Sequence, residues 1–206
     1  MKKSFCKGTL AAAILVFVVC GPSRAQVGDR NGCSLATLRG DYAFTLHGES
    51  IGILVPGVNG APPALKPFAN PLLADGVAIT RFDGNGGLSQ IDVVMRNGTS
   101  AATPATPVTD NGFRTQETGT YKVESDCTGT FAIRFPDTSE IDVAFVLAKN
   151  GLEIRTVVTR QHVPMLPPAI IPPGVACAPL TTAETSGCDL GVQIRSEGVK
   201  VRGILF

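Results

Sequence analysis

Most of this chain is written in short segments that alternate apolar and polar residues, each closed off by Gly, Asn, Asp or Pro. Residues 41–50 (DYAFTLHGES), 76–82 (GVAITRF), 88–96 (LSQIDVVMR) and 119–124 (GTYKVE) share the pattern. So do 130–135 (TFAIRF), 140–148 (EIDVAFVLA) and 152–160 (LEIRTVVTR). The stretches 191–197 (GVQIRSE) and 199–206 (VKVRGILF) read as one more pair. A period of two belongs to strands, whose successive side chains point to opposite faces. One apolar and one wet face per strand predicts antiparallel hairpins rather than a parallel sheet.

The turns agree. Asn150-Gly151 is a strong short hairpin signal. PDTS at 136–139 is a tight polar turn, and SDCTGT at 125–130 separates two alternating runs. Strands from 119 to 160 are therefore expected as one continuous meander. The sequence predicts an all-β fold, an antiparallel meander closing into a small barrel of about eight strands. A β-sandwich is the alternative. Helix is confined to a single turn within SLATLRG at 34–40, with Ser34 to begin it and Gly40 to end it.

Two segments combine proline with large apolar residues, 51–73 and 163–180. Proline excludes central-strand pairing, so both are read as loops folded over a barrel mouth or sheet edge. A surface for an apolar partner is the alternative. Residues 99–112, small and polar, read as a mobile loop.

The N-terminus has the anatomy of a secretory signal: Lys2, Lys3 and Lys7, an apolar run from Leu10 to Cys20, then Ser23-Arg24-Ala25. Cleavage is expected after Ala25. The run is too short to span a membrane, and no transmembrane segment is expected after cleavage. A lipidated Cys20 is disfavoured by the bulky Val19. Loss of Lys2, Lys3, Lys7 and Arg24 leaves 14 of the 18 basic residues against 17 acidic ones, a net charge of −3. That argues against nucleic acid. Residues 26–206 are read as one β-barrel domain with a Pro-rich, disulfide-linked C-terminal extension from about residue 161. The location is periplasmic or extracellular.

Four cysteines remain after cleavage, an even number that fits disulfides in an exported chain. The favoured pairs are Cys177–Cys188, which closes a short loop, and Cys33–Cys127. Zinc is disfavoured because no C-x-x-C spacing exists.

Chemistry is sparse. His47 falls on the parity opposite to Phe44 and Leu46, and His162 abuts the Pro-rich loop; neither has the company of a nucleophile. Glu140 with Asp142, and Gln90 with Asp92, share strand parity and read as solvated strand faces. DGNGG at 83–87 offers Asp83 and Asn85 as calcium ligands, but it lacks the distal Glu and flanking helices of an EF-hand. Gly84, Gly86 and Gly87 suit a hairpin instead. No metal or cofactor is expected. Tyr42 and Tyr121, each two residues after a glycine, read as matching rings at a barrel end.

Gly40, Tyr42 and Phe44, then FDGNG at 82–86, GTYKV at 119–123 and DCTGT at 126–130 resemble a group of small exported bacterial proteins. The resemblance implies a barrel of the allene oxide cyclase and lipocalin kind over residues 33–160. It implies a scaffold and carries no reaction with it. Three roles follow as expectations. The first is a non-catalytic barrel binding a small apolar molecule or an envelope protein. The second is a cyclase- or isomerase-like enzyme that holds a flexible substrate. The third is a structural protein of the envelope. Tyr42, Tyr121, His47 and Glu49 are the candidate ligand-contacting residues.

Overall fold

The computed structural model describes residues 32–102, 106–180 and 186–201. The expected signal segment 1–25 and the last residues, 202–206, lie outside the described residues. Nine strands form one antiparallel sheet: β1 (Gly40–Val55), β2 (Ala64–Phe82), β3 (Gly87–Arg96), β4 (Thr99–Ser100), β5 (Arg114–Val123), β6 (Thr128–Arg134), β7 (Glu140–Ala148), β8 (Glu153–Val163) and β9 (Cys188–Val201). Eight of them close a ring in the order β1, β2, β3, β5, β6, β7, β8, β9 and back to β1. The expected barrel is thus present. β5 to β8 form the expected meander. The first helical turn spans Leu35–Leu38.

The turn residues explain the hairpins. Asp83 Oδ1 accepts the backbone N–H of Asn85 at 2.7 Å and of Gly87 at 2.9 Å. Gly84 and Gly86 take φ values of +85° and +106°, which side chains resist. Those N–H groups hold the Asp83 carboxyl below its ordinary range. DGNGG is a hairpin turn between β2 and β3.

Three expectations need correction. The segment 51–73 is a loop only between residues 56 and 63. Before and after it, β1 and β2 run on as an arm, pairing Leu54 with Leu65 and Gly52 with Pro67. Pro67 and Pro71 are tolerated because β2 is the outer strand there, with β9 on the other side of β1. The described residues of 99–112 are not a free loop. Thr99–Ser100 pair with β3, and Thr109 donates its N–H to Phe113. Finally, the C-terminal segment is not merely appended. β9 is one continuous strand that seals the barrel between β1 and β8.

One barrel end is filled. Phe82 stands edge-on to Tyr42 and Tyr121, with centroids 5.5 and 5.1 Å apart. Leu38 closes over them, fully buried. The Tyr42 hydroxyl donates to the Gly151 carbonyl, and the Tyr121 hydroxyl donates to that of Leu35. Burial pushes the Tyr42 phenol up to about 12, with the neighbouring Tyr121 adding to it. The Cys33–Cys127 disulfide pins the segment before the first helical turn to the β5–β6 turn.

The Pro-rich segment 163–180 packs on the arm. Val163 and Leu166 join Ile53, Phe68, Cys188 and Leu190 in a second apolar cluster. The Cys177–Cys188 disulfide ties the segment to the start of β9. Both expected pairings are therefore present. Cys177→Ser with Cys188→Ser should cost about 2–3 kcal/mol, as chain entropy predicts for so short a loop. Guanidinium unfolding under non-reducing conditions measures it, and an unchanged midpoint would show that the bridge adds nothing.

Candidate functional site

The other half of the barrel keeps a cavity. It offers about 90 Å³ open to the centre of a water-sized sphere, several times what a single water needs but below the roughly 300 Å³ expected of an ordinary ligand pocket. Its apolar wall is built by Phe44 and Leu46 of β1, Phe131 and Ile133 of β6, Val143 of β7 and Ile194 of β9. Its polar wall includes Thr80, Gln90, Asp92, Arg96, Arg114 and His162.

The polar wall exists because of strand parity and one bulge. On β3, Leu88, Gln90 and Asp92 are buried while Ser89 and Met95 are exposed. The inward face is therefore the one carrying the amide and the carboxylate, and Ile91 and Val93 take the outer face. On β5 the register slips between the Gln90–Glu117 pair and the Asp92–Arg114 pair. Gln116 at φ +64° absorbs the extra residue. Arg114 and Glu117, three apart, therefore both face inward.

These residues lock together. Arg114 donates to Asp92 through Nε and Nη2, each at 2.6 Å, a bidentate pair. Its guanidinium lies 4.8 Å from the centre of the Phe135 ring. Gln90 donates to Glu117 at 2.8 Å and accepts from Thr80 at 2.7 Å. Glu117 is 1% exposed. Its Oε1 has no hydrogen bond, although Arg114 Nε lies 3.4 Å away. Burial, then the charge of Asp92, push the Glu117 carboxyl up to about 8 against the pull of Arg114. Burial alone would weaken the Arg114 cation, but Asp92 and Glu117 outweigh it and hold the proton more firmly than usual.

A second polar group flanks the cavity. Asp189, fully buried, lies 2.9 Å from Arg160 Nε and 3.3 Å from His162 Nδ1, and accepts the backbone N–H of Leu180. His162 is 3% exposed. A Cβ on Gly187 would come within 2.7 Å of its ring, so only glycine fits there. Ser50 donates to Gln161 at 3.1 Å beside it.

The candidates read from sequence stand elsewhere. Tyr42 and Tyr121 belong to the plug, with both hydroxyls hydrogen-bonded to backbone. His47 faces solvent as expected and pairs with Asp75 at 2.6 Å across the β1–β2 outer face. Glu49 shares that outer face. The expectation of a solvated face for Gln90 and Asp92 is overturned, since both are buried. Glu140 and Asp142 are less enclosed and pair with Arg134 and Arg160. Among the described residues, no group of three or more His, Cys, Asp and Glu is placed to hold a metal ion. No helix among them is long and apolar enough to cross a membrane. Comparison with known family models, curated proteins and solved structures finds no match to this chain.

Proposed function

We propose that this is an exported, non-catalytic barrel that takes one small, slender, largely apolar molecule into the open half of its interior. The observation that carries the reading is the division of the interior. Aromatic rings fill one end, yet the other end is left unfilled behind a wall of Phe, Leu, Ile and Val. Interiors pack close to crystal density and leave few voids larger than a water, and ligand sites are concave and mostly apolar with a few placed polar groups. Two disulfides fit an oxidising compartment.

Native mass spectrometry of protein purified from its own host tests it. A bound small molecule, lost after extraction with organic solvent, is the expected result. Filling the cavity with Ala78→Phe should abolish that adduct while the far-ultraviolet β signal persists. A bare protein that also takes up no added octanol would contradict the reading.

One observation favours an enzyme of the cyclase or isomerase kind as a second reading. His162, oriented by Asp189, sits in the wall of the same cavity, and a carboxylate-held imidazole suits acid–base work. That reading requires His162→Gln to bind ligand normally and to lose turnover.

A further inference from the structure

We propose that the molecule held in the barrel carries an anionic head group, a carboxylate or a phosphate, and that Arg96 receives it. The proposal rests on the binding reading above and adds the chemistry of the ligand.

Arg96 is the last residue of β3, half-buried, and lines the cavity at its open end. Among the described residues it has no side-chain hydrogen bond and no ion pair. The acidic groups that act on it are engaged elsewhere. Asp92 spends both oxygens on Arg114. Asp137, on the β6–β7 turn, accepts the N–H and hydroxyl of Ser139. Both pull on Arg96 electrostatically, but from beyond ion-pair distance.

The cations here are not equally served. Arg114 holds Asp92 in a bidentate contact, whereas Asp137 and Asp92 act on Arg96 only from a distance. Arg96 therefore faces a mostly apolar chamber with no anion in contact. Burial first, and repulsion from Arg114 second, make its charged state harder to keep. An arginine nevertheless stays charged in proteins. A Leu or Met at this position would fill the same wall without that burden. A half-buried cation that faces a cavity with no anion in contact is a candidate binding group. A guanidinium presents paired N–H groups that match the oxygens of a carboxylate or phosphate.

The test compares octanol, octanoate and octyl phosphate by calorimetry at pH 7, each titrated into delipidated protein. An anionic probe should bind at least about tenfold tighter than octanol, the scale of a charge-assisted hydrogen bond. Arg96→Gln should reduce that preference to about twofold or less while octanol affinity stays unchanged. Arg96→Lys, which keeps the charge but not the fork, should restore part of it. Preference for octanoate over octyl phosphate, or the reverse, assigns the head group. Equal affinity for octanol and both anions, or a preference that survives Arg96→Gln, would overturn the proposal while leaving apolar binding intact. Binding of none of the three would overturn the binding reading and this proposal with it.

Discussion

Asp92→Ala should destabilise the barrel by up to about 3–5 kcal/mol, the usual cost of stranding one partner of a buried ion pair, less whatever Glu117, 3.4 Å from Arg114 Nε, recovers by ionising in its place. Asp92 is 3% exposed and Arg114 8%. Arg114 points into the barrel interior and lines the cavity there. Removing the carboxylate also frees the Asp92 side of Gln90, which now bridges toward Glu117. Asp92→Asn keeps the shape and one acceptor and should cost less. Asp92→Leu combined with Arg114→Met should recover much of the loss, because a well-packed apolar pair often replaces a buried ionic one at no cost. Urea unfolding of the three variants measures this. A loss below about 1 kcal/mol for Asp92→Ala would mean that Arg114 has another way out.

The second large effect is a dependence of stability on pH that runs through Glu117. Its folded carboxyl titrates near 8 against about 4.5 unperturbed. Between these values the folded chain holds a proton that the unfolded chain has released. Raising the pH therefore favours unfolding, and stability should fall from about pH 4.5 to about pH 8 and then level off. The size is on the order of a few kcal/mol. Glu117→Gln mimics the protonated acid in shape and charge. It should match the parent near pH 5, exceed it in stability at pH 8.5 and remove this slope. The difference between parent and variant isolates Glu117 from every other titrating group. A difference that does not change with pH would place the proton elsewhere.

The strands and turns were legible because their causes are local. Alternation marked β3 and β5 to β8, and DGNGG, PDTS and Asn150-Gly151 carried the chemistry of their own turns. The cysteine pairs followed from loop length. The site was not legible, for a physical reason that begins on β3. Both faces of LSQIDVVM carry apolar residues, Leu88 and Val94 on one, Ile91 and Val93 on the other. Alternation alone made the aliphatic face the inner one, whereas the ring closes with Gln90 and Asp92 inside. The partner was hidden more deeply. Arg114 and Glu117 have opposite parity in any regular strand, and only the slip at Gln116 turns both inward. A bulge is a property of pairing and cannot be read from one strand. The same holds for His162 and Asp189, 27 residues apart, which meet only because β8 and β9 pair. Tyr42 and Tyr121 stand at a barrel end as expected, with their hydroxyls hydrogen-bonded to backbone there.

Methyl-resolved NMR during an octanoate titration shows whether a ligand enters the open half of the barrel. Saturable shifts are expected at Val94, Ile133, Ile141 and Val143, which line the cavity, with Val146, Val157 and Val199 on the exposed outer face unmoved. Shifts confined to those outer valines, or none at all, would contradict entry of a ligand.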